Sequence, residues 1–311
     1  MSNRCAMVTG GAGFIGSHVV DALLADDWRV VVVDDLSTGN AERVADEATL
    51  EVVDITDRAR LDSVVDAARP QAVFHLAAQA SVTRSVADPG RDLEINVRGT
   101  LNVLEGATRH DAPVVFTSTG GALYGNEATL PTPEDTPPAP ISPYGASKWA
   151  AEAYVTTWRE AGGAPHAICR LGNVYGPRQN PHGEAGVVAI FSDQLSRGDT
   201  PTLFGFGKPT RDYVHVHDVA RAHLAALGRP GVYNVSTGVE TPVSRLWELL
   251  QAAANVTIEP ELAPLREGEL ERSCLDSGRA REQLGWQAEI SLEEGLAATY
   301  RALVDEFGDS R

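Results

Sequence analysis

The stretch Cys5-Ala6-Met7-Val8-Thr9-Gly10-Gly11-Ala12-Gly13-Phe14-Ile15-Gly16 decides the fold. Its first five residues form a short apolar run that reads as a strand buried on both faces. The rest satisfies two glycine spacings at once. Gly10, Gly13 and Gly16 give G-x-x-G-x-x-G, and Gly11, Gly13 and Gly16 give G-x-G-x-x-G. In either register the glycines permit a tight turn and let backbone N–H groups, those of Phe14 and Ile15 included, approach a pyrophosphate at a helix N-terminus. A helical pattern over 15–25 follows. Strand, glycine turn and helix in that order predict the first unit of a dinucleotide-binding sheet.

Outward from this unit the same alternation continues. Apolar runs at 29–34, 50–53, 72–76, 114–118 and 166–171 read as strands, and 58–68, 92–109 and 145–160 read as helices. That pattern predicts an α/β fold, a doubly wound parallel sheet of Rossmann type. After Leu171 the pattern loosens, with frequent Gly and Pro up to Arg211. Strands at 213–216 and 232–235 flank a helix at 218–227, and further helices are expected at 242–255 and 292–304. The division expected is a cofactor domain of residues 1–173 with 212–236, and a smaller mixed substrate-binding subdomain of 174–211 with 237–311. The six prolines of 131–143 predict a semi-rigid loop, either a plain connector or a wall of the site.

The 311 residues, 43% apolar and 22% charged, are ordinary for an enzyme with a substantial core. A net charge of −17 argues against gripping nucleic acid, which needs a basic face. No apolar run approaches the roughly 18 residues that span a bilayer, so no membrane partner is expected. The chain passes from Met1-Ser2-Asn3-Arg4 into its first strand without the pattern of a secretory leader, and a cytoplasmic location is expected. Cys5, Cys169 and Cys274 are far apart and read as buried small hydrophobes. No metal is expected, because no Cys pair has ligand spacing and no Cys/His/acid cluster surrounds His215-Val216-His217.

Tyr144 and Lys148, in Tyr144-Gly145-Ala146-Ser147-Lys148, project from one face of a helix at i, i+4. A free Tyr titrates near 10 and is a poor base at neutral pH. A neighbouring ammonium and a positive nicotinamide ring stabilise its phenolate, giving a base suited to a sugar hydroxyl. Ser118-Thr119 end the fifth strand, where one hydroxyl either relays a hydrogen bond to Tyr144 or forms a turn. Asp34 and Asp35 end the second strand, 18 residues after Gly16. An acid there binds the adenosine ribose and repels a 2′-phosphate, favouring NAD, and Asp34, directly after Val33, is the preferred one. Asp54-Ile55 end the third strand, where they either hold adenine or, in the case of Asp54, cap a helix.

With these residues in view, the chain resembles the extended short-chain dehydrogenase/reductase family in its nucleotide-sugar epimerase/dehydratase branch. The likeness runs through 9–18, Asp35-Leu36-Ser37-Thr38-Gly39, Asp54-Ile55-Thr56-Asp57 and His75-Leu76-Ala77-Ala78-Gln79. It continues through Asn96-Val97-Arg98-Gly99-Thr100, 142–148, Asn173-Val174-Tyr175-Gly176-Pro177-Arg178-Gln179, Arg211-Asp212-Tyr213-Val214 and the tail 264–276. The resemblance implies NAD as cofactor, with Leu76 and Ala77 beside it. It implies Tyr144 as base, Lys148 on the nicotinamide ribose, Thr119 as hydroxyl partner and Asn96 as a brace. It implies a UDP-sugar substrate held by Asn173, Arg211, Arg266 and Glu269, with Val187, Val188 and Phe191 passing over uracil. Surface salt bridges are the plainer reading of the two arginines.

Two departures from the branch narrow the expected reaction. Dehydratase relatives place an Asp-Glu pair after the Thr, where this chain has Gly120-Gly121. Relatives acting on UDP-glucuronate continue Gly-Pro-Arg-Gln with Arg-Pro-Asp-Met, where this chain continues Asn180-Pro181-His182-Gly183. The expectation is therefore C4 epimerisation of UDP-glucose and UDP-galactose. A glucuronate-directed 4-epimerase or decarboxylase, with Arg178 serving the carboxylate, is the alternative; a non-catalytic NAD-sensing protein is a distant one. Ser273 stands where some members hold a bulky Tyr, so UDP-N-acetylhexosamines are expected to fit as well. A homodimer is expected through the helices at 92–109 and 145–160. Ala146, Trp149, Ala150 and Ala153 either supply its apolar stripe or pack on the sheet.

Overall fold

The structure is a computed structural model and describes residues 4–162, 164–181, 186–266 and 270–308. Its strands are β1 (Cys5–Thr9), β2 (Arg29–Asp34), β3 (Thr49–Val52), β4 (Ala72–His75), β5 (Val114–Thr119), β6 (Ala167–Leu171), β7 (Asn173–Tyr175), β8 (Thr202–Phe204), β9 (Thr210–His215), β10 (Gly231–Val235), β11 (Glu240–Pro242) and β12 (Glu261–Ala263). Its helices are α1 (Phe14–Ala25), α2 (Arg58–Ala68), α3 (Val82–Ala87), α4 (Pro89–Leu93), α5 (Thr100–Thr108), α6 (Pro143–Gly162), α7 (Val187–Arg197), α8 (Val216–Ala226), α9 (Val243–Ala254) and α10 (Leu292–Gly308).

The main sheet runs β10-β6-β5-β4-β1-β2-β3, with every adjacent pair parallel. Side chains alternate between its faces and so divide between two cores. Ala6, Val8, Val30, Val32 and Phe74 meet Val19, Val20 and Leu23 of α1 and Val219 and Ala222 of α8. Met7, Val33, Val73, Phe116 and Ile168 meet Leu61 and Val65 of α2, Val103 and Leu104 of α5, and Ala151 and Val155 of α6. Strand order reverses between β1 and β4, whose last residues Thr9 and His75 are in register. Ligands of doubly wound sheets bind outside the strand ends at such a switch point.

A second lobe forms around β11-β9-β7 and the helices α7, α9 and α10. Its core holds Val188, Phe191, Leu195, Leu246, Trp247, Leu250 and Leu296. Each fully buried Leu there contributes about 2 kcal/mol of hydrophobic free energy.

Three features differ from the sequence expectation. The strand expected at 213–216 is β9, one residue earlier at its end, and it pairs with β7 and β11 instead of the main sheet; only β10 returns there. Helix α7 fills part of the stretch that reads as irregular. The glycines that give that impression are its ends: Gly186 is its extended N-cap and Gly198, with φ of 72°, its left-handed C-terminal residue. The helix expected at 92–109 is α4 and α5 joined by a π turn at Glu94–Gly99. No helix among the described residues is long and apolar enough to cross a membrane. Cys5, Cys169 and Cys274 are free and buried.

Candidate active site

The glycine turn after β1 is locked by close packing. Gly10 has φ of +73°, and a Cβ there would lie 2.6 Å from the backbone N of Ala77. A Cβ on Gly16 would collide with the Gly10 carbonyl. Leu76 N donates to Thr9 O at 3.0 Å, which brings Leu76 and Ala77 to the same edge. Helix α1 starts at Gly13 with no side-chain cap and no acid in its first turn. The N–H groups of that turn, Phe14 and Ile15 among them, therefore have no intrahelical acceptor and face the strand ends.

Asp34 is buried and bound on both oxygens. Oδ2 accepts from Ala12 N at 3.0 Å and Oδ1 from Leu36 N at 2.9 Å, and burial raises its pKa. It thus holds the glycine loop in place. Asp35 is exposed and accepts from Ser37 N and Oγ. Asp54 does not cap α2; that role belongs to Asp57. Asp54 Oδ1 instead accepts from Thr56 N and Oγ1, each at 2.8 Å, and Oδ2 pairs with Arg91 at 3.2 Å. Ile55 is buried against Gly99.

Tyr144, Lys148 and Thr119 converge, and Ser118 does not join them. Thr119 lies close enough to Tyr144 to lower its pKa, while Ser118, one residue earlier on β5, buries an Oγ with no partner among the described residues. Burial pushes Tyr144 up to about 12, opposed by the nearby Thr119 hydroxyl, and pushes Lys148 down to about 7. In the chain alone, burial therefore outweighs the lowering of the Tyr pKa expected from Lys148. Lys148 Nζ lies 4.1 Å from the centre of the Phe116 ring and has no hydrogen-bond acceptor among the described residues. Asn96 is fully engaged: the two N–H groups of Nδ2 are shared among Gln79 O at 2.9 Å, Ser147 Oγ at 3.0 Å and Asp92 Oδ1 at 3.2 Å, and Oδ1 accepts from Gln79 N at 2.9 Å. It braces α6 from the π turn, a distortion often found at functional sites.

At the other end, Arg211 on β9 donates to Thr210 O at 2.8 Å and Leu270 O at 2.9 Å. Arg266 stacks its guanidinium 3.7 Å over the Phe204 ring. Asn173 starts β7, half-buried, and points Oδ1 toward Gly121. Ser273 is half-buried and donates its N–H to Thr210 O at 3.2 Å. Val188 and Phe191 are core residues, Phe191 lying edge-on to Trp247 at 5.3 Å, and Val187 packs beside them. What α7 offers a ligand is thus largely its position and N-terminal backbone. Glu269 lies outside the described residues.

Residues 6–236 match the NAD dependent epimerase/dehydratase family. The chain belongs to that family. It is 48% identical over 302 residues to a UDP-glucose 4-epimerase of Mycolicibacterium smegmatis, covering 94% of this chain and 96% of that one. Among solved structures it is similar to the UDP-glucose 4-epimerase of Thermotoga maritima with UDP-glucose, at 44% identity and a TM-score of 0.95 over 97% of this chain and 99% of that one. The Thermus thermophilus UDP-glucose 4-epimerase in complex with NAD is 42% identical, with a TM-score of 0.90 over 96% and 99% of the two chains. The family's cofactor is NAD, and this chain is an extended short-chain dehydrogenase/reductase acting as an NAD-dependent epimerase. The residues present fit NAD. The uncapped first turn of α1 suits its pyrophosphate, and the buried Lys148 ammonium lacks the acceptor that a ribose hydroxyl would supply.

Sequence reasoning missed the polar groups that hold this site. His75 bonds Thr9 Oγ1 at 2.6 Å and Thr100 Oγ1 at 3.0 Å, tying β4 to β1 and α5. Glu152 binds Arg170, which also reaches Tyr124 and the Glu134 carbonyl. A signal existed for both members of that pair. Glu152 extends the Tyr144–Lys148 face by one more turn, and Arg170 is a charge inside an apolar strand.

Proposed function

We propose that this protein interconverts UDP-glucose and UDP-galactose at C4. The observation that carries the reading is Tyr144 close to Thr119 and one helical turn from the buried Lys148, with Gly120-Gly121 in place of an acid pair. The near relatives named above act as further support. Tyr144 takes the proton of the C4 hydroxyl, and Thr119 shares that hydrogen bond with the sugar oxygen. Bound NAD⁺ supplies the hydride acceptor at C4 and a positive charge that favours the Tyr144 phenolate. The 4-keto hexose so formed would turn within the pocket; return of the hydride to its other face, with Tyr144 giving the proton back to O4, would invert C4. Gly121 supports that turn: a Cβ there would meet nothing closer than Asn173 Oδ1 at 3.7 Å. Arg211 and Arg266 pair with the diphosphate, Asn173 and Glu269 bind the nucleotide end, and α7 borders uracil.

The reading extends to UDP-N-acetylhexosamines, since Ser273 is small and half-buried on the segment beside Thr210. It includes a homodimer in the cytoplasm. Val86, Leu93, Trp149 and Tyr154 are exposed on α3, α4 and α6, and Ala146 and Ala153 beside them are exposed too. That stripe therefore does not pack on the sheet, which supports its use between subunits. The test is incubation of purified protein with NAD and, in parallel, UDP-glucose, UDP-galactose, UDP-N-acetylglucosamine and UDP-glucuronate. Conversion between the first two is expected. An unchanged ratio of those two sugars, or release of CO₂ from UDP-glucuronate, overturns the reading.

A further inference from the structure

Two buried, opposite charges at the seam between α4 and α6 lack ion-pair partners of their own among the described residues. Asp92, on α4, is 1% exposed. Its Oδ1 accepts from Gln79 Nε2 at 2.7 Å and from Asn96 Nδ2 at 3.2 Å, while Oδ2 has no hydrogen-bond partner among the described residues. Lys148, on α6, is 4% exposed and rests on the Phe116 ring. Asn96 joins the two sides, because the same Nδ2 that reaches Asp92 also reaches Ser147, the neighbour of Lys148.

The groups facing Lys148 are few. Tyr144 and Glu152 share its helix, His75 faces it from β4, and Asp92 from α4. His75 is neutral, held at about 3 by burial first and then by the Lys148 charge. Glu152 is neutralised by Arg170, which donates Nε to Oε1 at 3.0 Å and Nη2 to Oε2 at 2.6 Å. Asp92 has no arginine; it is second to Glu152 in its pull on Lys148, and it acts on Tyr144 as well. A carboxylate and an ammonium withdrawn from water each need compensation, and here neither has an ion pair of its own across a seam that Asn96 bridges.

We propose that Asp92 is a positioning residue of this site, the buried counter-charge of Lys148, and that through Asn96 it holds the α4–α6 seam against the reacting tyrosine. A negative charge there favours the proton on Lys148 and on Tyr144 alike. Neutralising it therefore moves both to lower pH together, which loosened packing would not do.

The chain has two lysines, Lys148 and Lys208, so ¹³Cε-lysine labelling of the full chain gives two NMR signals, Lys208 serving as internal control. In Asp92→Asn the Lys148 midpoint is expected to fall by about one pH unit, with Lys208 unmoved and Asp92→Glu close to wild type. A Lys148 midpoint that stays put in folded Asp92→Asn overturns the proposal. Should Asp92→Asn fail to fold, the double variant Asp92→Asn/Lys148→Met decides. Recovery of folding when both charges are gone supports the pairing, and a double variant that also fails to fold overturns it. The readout is a lysine proton and needs no sugar nucleotide, so its failure is distinct from failure of the C4-epimerase reading.

Discussion

Glu152→Gln tests whether the catalytic helix is held by charge. Glu152 stands one turn beyond Lys148 and two beyond Tyr144 on α6. Three hydrogen bonds reach its carboxylate from Arg170: Nε to Oε1 at 3.0 Å, Nε to Oε2 at 3.1 Å and Nη2 to Oε2 at 2.6 Å. The two side chains are 7% and 4% exposed. Arg170 Nη1 donates onward to Tyr124 Oη at 2.6 Å and to the Glu134 carbonyl at 3.0 Å. Glutamine keeps the shape and one acceptor, but its amide turns a donor toward a guanidinium that has lost its counter-charge. Neutralising one member of a buried pair costs about 3–5 kcal/mol. With an unfolding entropy of about 2.1 cal/mol/K per residue, a chain of 311 residues loses stability at about 0.65 kcal/mol per kelvin near its midpoint. A loss of about 4 kcal/mol thus lowers Tm by about 6 °C. Calorimetry of wild type and variant under identical NAD saturation reads this directly. A drop below about 1.5 °C, corresponding to about 1 kcal/mol, would refute the reasoning, since only an exposed or otherwise compensated pair is worth so little.

The remaining predictions concern acid stability, substrate range and assembly. His75 is held at about 3, and His18, His166, His215 and His223 at about 4 each, in every case chiefly by burial. They are neutral in the folded chain and take protons when unfolded below about 6.5. Their contribution is complete above that pH and is lost as pH falls from 6.5 toward 4, so the urea midpoint should drop steeply there with uptake of several protons on unfolding. A midpoint flat from pH 7 to pH 4.5 contradicts this. Ser273→Tyr should cut turnover of UDP-N-acetylhexosamines roughly tenfold or more while sparing UDP-glucose, and equal loss on both would show that Ser273 does not set the pocket's width. Trp149→Glu places a charge in the exposed stripe of α6 and should shift a dimer to monomer in sedimentation at micromolar protein, whereas an unchanged sedimentation coefficient places the subunit contact elsewhere.

Sequence reading reached those parts of the molecule that local pattern dictates. The strand before Gly10, the uncapped turn after it and the Tyr144–Lys148 face each depend on neighbours within one or two turns, so spacing alone reveals them. The glycine-bounded α7 was hidden because glycine marks both irregular chain and helix ends, although Val188, Phe191 and Leu195 carry the helical period. The sheet that β9 joins is not legible in its residues, because a short strand's partners are set by the path of the chain. Glu152 with Arg170, and Asp92 with Lys148, escaped for the same reason. The fold alone brings α6 against β6 and α4, and a lone acid on a helix otherwise reads as solvated surface.

The proposed reaction needs a nucleotide end that stays fixed and a sugar end that lets a ring turn, and the chain differs between its two ends in that sense. Asp212 is buried and gathers two segments on one carboxylate. Oδ1 accepts from Thr237 N at 2.9 Å and Oγ1 at 2.5 Å; Oδ2 accepts from Gly238 N at 2.9 Å and Leu275 N at 3.2 Å. Its neighbour Arg211 donates to the Leu270 carbonyl on the approach to the same tail. Thr132 N and Asp276 N, through bonds to Cys274 O and Thr132 O, clamp the proline-rich loop onto that tail. The loop is thus tied to the fold and not a free connector. Around Thr119 the opposite holds: Gly120 and Gly121 supply no side chains, and Ser273 supplies a small one. An acid pair in place of the two glycines would add groups able to drive loss of water, and the packing excludes one at Gly120, where a Cβ would collide with Leu275. Rigidity at 211–212 and open space at Gly121 are therefore parts of one requirement, that the hexose reverse its face while its nucleotide does not move.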